Sequence, residues 1–215
     1  MIVEGIVLFQ ERQHVVFIGD SITDCGRRDS YAPFGNGYMS LIRAFVTARR
    51  PDAHLTWTNQ GISGNTVRDL AARWERDAIE ARPDWLSVMI GINDVWRAFT
   101  GQLDEAVPID EYERTLRALL TRAVQATGCR LILADPYIIE PDRDEPQRAE
   151  SDRYGKVVAA LAAEFDAVHV ATQQAFDQAL SSTRPSDWAD DRIHPNLAGH
   201  AVIADAFLQA IDTTD

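Results

Sequence analysis

Five short apolar runs rich in β-branched residues, at positions 15–18, 55–58, 85–90, 130–134 and 167–170, alternate with longer stretches whose apolar residues recur at helical spacing. Each run is short enough to be a buried strand. The helical stretches cover 38–49, 66–80, 109–126, 149–164, 173–181 and 197–211. Strand–helix alternation of this kind implies parallel strands, because the crossover helices must cover both faces of the sheet they connect. The expected architecture is α/β, a three-layer α/β/α sandwich with a central five-stranded parallel sheet. In such sheets ligands sit beyond the carboxyl ends of the strands, so the residues that follow each strand have the best access to one.

Bulk properties narrow the range of partners. The chain has 215 residues, 46% of them hydrophobic and 25% charged, which suits one domain spanning 1–215, since single cores grow to roughly 250 residues before they split. Residues 140–147, with Pro141 and Pro146, are expected to form a surface loop rather than a linker. A formal net charge of −12 argues against binding nucleic acid, which needs clustered Lys and Arg to displace counterions. The short basic pair Arg49-Arg50 reads as the C-terminal end of a helix, where cations complement the dipole. No apolar run approaches the ~20 residues needed to cross a bilayer, so no membrane partner is expected. The first thirteen residues, with Glu4, Glu11 and Arg12, lack the basic start, apolar core and cleavage site of a secretion signal. Two cysteines, Cys25 and Cys129, are too few for a disulfide framework. These features together imply a cytoplasmic location.

The strand ends carry an informative set of residues. After the first strand comes Gly19-Asp20-Ser21, after the second Asn59-Gln60-Gly61-Ile62-Ser63-Gly64-Asn65, and after the third Gly91-Ile92-Asn93-Asp94. Near the C-terminus, Asp191-Arg192-Ile193-His194-Pro195 precedes the last helix. A serine hydroxyl needs a neighbouring base to become a nucleophile at neutral pH, and His194 is the candidate base for Ser21. The histidine needs a carboxylate to hold its tautomer, and Asp191 lies three residues away. Attack on a carbonyl builds charge on its oxygen, which the N–H of Ser21, the N–H of Gly61 and the amide of Asn93 are expected to meet as an oxyanion hole. Asp20 and Asp94, beside these residues, are expected to hold loops rather than move protons.

Neighbouring motifs are weaker. Gly61-Ile62-Ser63-Gly64 lacks the spacing of a Gly-x-Ser-x-Gly nucleophile elbow, so Ser63 reads as a loop residue. Gly35-Asn36-Gly37 lacks the third glycine of a dinucleotide fingerprint and reads as a turn. Cys25 reads as a small buried hydrophobe near the site. His200, six residues after His194, lacks metal-ligand spacing. Trp96 and Trp188 lie near the candidate site in sequence and offer aromatic faces to a sugar ring, with packing as the alternative role.

The four blocks together resemble those of the SGNH, or GDSL, hydrolases. Ser21 matches the family's nucleophile, Gly61 and Asn93 its oxyanion glycine and asparagine, and Asp191 and His194 its Asp-x-x-His pair. The longer stretches FIGDSITDC at 17–25, GISGNTVRDL at 61–70, RPDWLSVMIGINDVWR at 82–97 and HPNLAGH at 194–200 are similar to intracellular acetylxylan esterases. The stretch SDWAD at 186–190 fits that subgroup least. What the resemblance implies is a flavodoxin-like fold and a serine esterase that deacetylates xylo-oligosaccharides, using neither metal nor organic cofactor. A short-chain carboxylesterase, lysophospholipase or thioesterase would use the same groups. A carbohydrate-binding protein without turnover is a third reading, though binding alone has no use for a nucleophile and base. Formation of a homo-oligomer is compatible with each of these.

Overall fold

A computed structural model of the chain describes residues 9–212; the Glu4 that spoke against a leader lies outside the described residues. The elements run β1 (His14–Gly19), α1 (Ser21–Asp24), α2 (Tyr38–Arg49), β2 (Thr56–Gly61), α3 (Val67–Trp74), β3 (Trp85–Met89), α4 (Ile92–Phe99), α5 (Ile109–Thr127), β4 (Arg130–Ala134), α6 (Pro146–Glu164), β5 (Val168–Val170), α7 (Thr172–Leu180) and α8 (Leu197–Asp212). All five strands are parallel, in the order β2-β1-β3-β4-β5.

Alternation along the central strands builds two cores. Val15 and Phe17 of β1, Trp85 and Met89 of β3, and Ile132 and Ala134 of β4 face one side, where they meet Ile42 and Val46 of α2, Phe176 of α7 and Phe207 of α8. Val16 and Ile18, Leu86 and Val88, and Leu131 and Leu133 face the other, against Leu70 and Trp74 of α3, Leu120 of α5 and Leu161 of α6. Central strands apolar on both faces are what a fully covered parallel sheet requires. Each buried Val, Leu, Ile, Phe or Met among them contributes about 1.5–3 kcal/mol by leaving water.

Most limits shift from the sequence reading by a residue or two, and the larger differences have local reasons. Strand β2 continues through polar Asn59 and Gln60 because its ladder with β1 extends to the Gly19–Gly61 pair. Helix α6 begins at Pro146 rather than 149: Glu145 caps it by accepting the Arg148 N–H at 2.8 Å, and proline suits a first-turn position that has no N–H partner. The short helices α1 and α4 are additions, too brief to register as hydrophobic periodicity. Helix α3 starts at a capping box between Thr66 and Asp69 and continues through a π-helical turn at Glu75–Ile79.

The strand order fixes where a ligand can enter. From β1 the chain crosses outward to β2, then returns past β1 to β3, so the connections leave β1 and β3 in opposite directions and open a crevice at their carboxyl ends. Ser21 follows β1 and Asn93 follows β3.

Candidate active site

Strand β1 ends where its backbone is pressed against β3: a Cβ on Gly19 would lie 2.3 Å from the Met89 carbonyl oxygen. Asp20 then caps α1, its Oδ1 accepting the Ile22 N–H at 3.0 Å. Ser21 opens the helix, so its own N–H has no intrahelical acceptor. Its Oγ lies 2.9 Å from Nε2 of His194, and His194 Nδ1 lies 2.6 Å from Oδ2 of Asp191. Asp191 Oδ1 also accepts the N–H groups of Ile193 at 3.1 Å and His194 at 2.8 Å. Partial burial opposes the Asp191 charge, but the His194 ring and these two N–H groups outweigh it and hold the carboxyl below its usual range. An ionised carboxylate only accepts, so Nδ1 carries the imidazole proton and Nε2 is left to accept from the serine hydroxyl.

The loop that carries the acid and base is braced on several sides. Asn196 N–H donates to the Trp188 carbonyl at 2.8 Å, and Ala189 forms a bridge with Pro195, closing the loop on itself. Ile139 N–H donates to the Arg192 carbonyl at 2.8 Å, and the Tyr137 hydroxyl donates to the Ile193 carbonyl at 3.2 Å. Arg192 pairs with Glu140 at 3.1 Å and Glu145 at 3.0 Å. These bonds tie the loop to the segment that follows β4.

Across the crevice, one amide N–H of Asn93 donates to the Asn65 carbonyl at 3.0 Å, which sets the plane of the amide and leaves its second N–H for the cleft. Asn93 lies in the first turn of α4, whose N-cap is Gly91 at φ 129°.

Gly61 does not take the place expected of it. Its N–H donates to Asn59 Oδ1 at 2.8 Å, so it is already engaged. A Cβ here would sit 2.1 Å from the Asp24 backbone nitrogen, which makes close packing of β2 on α1 the reason for a glycine. Asn-x-Gly is the pattern in which an asparagine bonds the backbone two residues on, and that local signal distinguishes Gly61 from a free donor. Gly64, by contrast, lines the cleft, at φ 79°, and its N–H has no acceptor among the described residues. Arg97 Nη2 holds the Gly64 carbonyl at 2.7 Å, and Asp24 accepts the Ser63 N–H at 3.1 Å, so the 62–64 turn is pinned from both sides.

The cleft has a volume of about 420 Å³ and is bounded by Ser21, Ser63, Gly64, Asn93, Trp96 and His194, with Cys25 and His200 in its wall. His200 Nδ1 accepts the Tyr38 N–H at 3.2 Å, so Nε2 carries the proton and donates to Cys25 Sγ at 3.2 Å. Burial lowers His200 to about 4 and pushes the Cys25 thiol up, so this pair is neutral. Half-buried Trp96 presents an aromatic wall to the cleft. Trp188 does not line it: its indole N–H donates to Thr183 Oγ1 at 2.7 Å and the residue packs, partly buried, against the core. Asp20 and Asp94 are buried, and burial pushes each up to about 7. Asp94 Oδ1 accepts the Val67 N–H at 3.0 Å, joining α4 to the start of α3.

Comparison with known proteins places this geometry in context. The GDSL-like Lipase/Acylhydrolase family matches the chain over residues 17–202. An acetylxylan esterase of Geobacillus stearothermophilus is 44% identical over 206 residues, covering 93% of this chain and 94% of that protein. Among solved structures, an α/β hydrolase from the metagenome of Lake Arreo, Spain, superimposes with a TM-score of 0.91 at 45% identity, covering 95% of this chain and 97% of its own. The acetylxylan esterase Axe2 of Geobacillus stearothermophilus superimposes with a TM-score of 0.90 at 42% identity, covering 96% of each chain.

Proposed function

Because this chain belongs to the GDSL-like lipase/acylhydrolase family and is a carboxylic ester hydrolase, we propose that it removes acetyl groups from acetylated xylo-oligosaccharides through an acetyl-enzyme on Ser21. The observation that carries the mechanism is the continuous relay from Ser21 Oγ through His194 to Asp191, opening on a cleft that faces the Asn93 amide. Similarity over nearly the whole chain to an acetylxylan esterase supports the sugar substrate.

In the first half-reaction Ser21 Oγ attacks the acetyl carbonyl carbon while His194 Nε2 takes the hydroxyl proton. Negative charge gathers on the carbonyl oxygen, and the free N–H groups of Ser21, Gly64 and Asn93 stabilise it. The tetrahedral intermediate collapses, the C–O bond to the sugar breaks, and the sugar oxygen leaves with the proton held by His194. Water then attacks the acetyl-enzyme, giving its proton to His194, which returns it to Ser21 Oγ as acetate departs. Asp191 keeps the imidazole in the right tautomer and stabilises its charged form in both halves. Trp96 offers the sugar a flat apolar face at the cleft wall. Free thiols at Cys25 and Cys129 favour a reducing, cytoplasmic setting.

Acetate release from acetylated xylo-oligosaccharides, compared with butyryl and longer esters, tests this reading in the wild type and Ser21→Ala. Rapid Ser21-dependent deacetylation of the sugar supports it. Equal rates for the two proteins would remove the serine mechanism, and a strong preference for long acyl chains would remove the acetylated sugar.

A further inference from the structure

Arg73 is the only arginine among the described residues whose guanidinium reaches the ends of both β1 and β2 as well as the loop that follows β2. It stands in the last turn of α3 with its side chain 8% exposed. Nη2 donates to the Gly19 carbonyl at 3.0 Å, two residues before Ser21, and Nη1 donates to the Gln60 carbonyl at 2.8 Å. Nε donates to Asn65 Oδ1 at 2.7 Å. Asp77 supplies the counter-charge at 2.8 Å and is itself braced by Arg76. A buried guanidinium without such partners would be costly, and its planar fork holds them in a fixed relative geometry.

Asn65 is the link to the reaction. Its side chain is held by Arg73, while its carbonyl accepts one N–H of the Asn93 amide. The segment from Gln60 to Asn65 contains Gly64, and Gly19 leads into Ser21. We propose that Arg73 is a positioning residue that sets the orientation of the Asn93 amide in the oxyanion hole, acting through Asn65. This rests on the ester-hydrolase mechanism above but not on the identity of the sugar. Anchoring carbonyls that do not themselves touch substrate matters because misplacing catalytic groups by about 1 Å can cost on the order of 10²-fold in rate.

The test is a double-mutant cycle on a small aryl acetate, with kcat, KM and melting temperature measured for each protein. Arg73→Met in the wild-type background is expected to lower kcat on the order of 10–10²-fold while KM changes little. In the Asn93→Ala background the same change is expected to cost only a small part of that loss, because the donor it aligns is already gone. Arg68→Met, which removes an exposed ion pair with Glu111 from the same helix, serves as the control and should leave kcat unchanged. If Arg73→Met does not fold, Asn65→Ala, which removes the Nε acceptor and keeps the Arg73–Asp77 pair, takes its place with the same expected non-additivity. Equal losses in both backgrounds, or an unchanged kcat, overturn the positioning role. A wild type without Ser21-dependent hydrolysis of the aryl ester would instead overturn the underlying mechanism.

Discussion

The amide of Asn93 is anchored by one N–H, which donates to the Asn65 carbonyl at 3.0 Å and thereby commits the other to the cleft. A donor held this way is already oriented when charge develops on the substrate, so it should act on the transition state more than on binding. Asn93→Ala is expected to lower kcat on the order of 10²–10³-fold with KM little changed. An Asn93→Ala enzyme with wild-type kcat in steady-state assays would show that the amide does not meet the oxyanion.

Asp191→Asn preserves shape and removes charge. An amide can present its N–H2 to the imidazole and so favour the wrong tautomer, leaving Nε2 protonated beside Ser21. By comparison with other Ser-His-Asp enzymes, the expected loss in kcat is on the order of 10⁴-fold. Single-turnover measurement of acetyl-enzyme formation checks whether the loss falls on the chemical step.

The two glycines after Asn59 should respond differently to alanine. At Gly61 the new Cβ would press on the backbone of Thr23 and Asp24, which cannot yield without displacing the end of β2 or α1. At Gly64 the nearest atom is the flexible end of Arg97 at 3.8 Å, and the cost is the left-handed backbone alone, about 1–2 kcal/mol. Thermal melts are expected to show a far larger drop for Gly61→Ala than for Gly64→Ala. Comparable drops would remove the packing role assigned to Gly61.

Asp94 gives the protein a predictable response to pH. Its carboxyl rises to about 7 in the folded chain from an ordinary 3.8, so between those values the folded state binds the extra proton. The stabilisation this provides is fully present below about pH 4 and is lost as pH rises towards 7. Asp20 behaves in the same direction. Asp94→Asn keeps an acceptor for the Val67 N–H and cannot ionise, so its melting temperature should gain on the wild type as pH is raised from 5 to 8. Parallel curves across that range would contradict the shift.

Trp96 and Trp188 should separate by assay. Trp96→Ala is expected to raise KM for acetylated oligosaccharides about three- to tenfold, with a smaller effect on a compact aryl acetate that does not reach the ring. Trp188→Ala should lower melting temperature without that substrate dependence, since its indole is engaged with Thr183.

What could be read from residue order alone was set by how local each cause is. The strands and long helices were legible because burial on one or two faces leaves a period in the sequence, as in residues 130–134, where β4 has the expected limits. Ser21, Asn93, Asp191 and His194 stood out because each has a chemically distinctive side chain just beyond a strand or just before a helix. Gly61 was the natural glycine to choose at a strand end. Its N–H is engaged by the Asn59 side chain, and the only local sign of that is the asparagine two residues earlier, which strand-end position alone does not weigh. Trp188 was placed near the site by its distance from Asp191 in sequence, but the bend closed by Ala189 and Pro195 turns its indole away. Arg73 gave no sign at all, because its partners include the carbonyl oxygens of Gly19 and Gln60, and every residue has a carbonyl.

The sequence separation of 173 between Ser21 and His194 also sets a timetable for the protein's synthesis. A ribosome releases the serine early, and the hydroxyl remains chemically ordinary while most of the chain is still being made. Reactivity arrives only when the loop before α8 has emerged and docked against the segment after β4. A nascent or C-terminally shortened chain therefore carries a harmless alcohol in place of a nucleophile, and labelling by a serine-directed probe would report the docking of that loop.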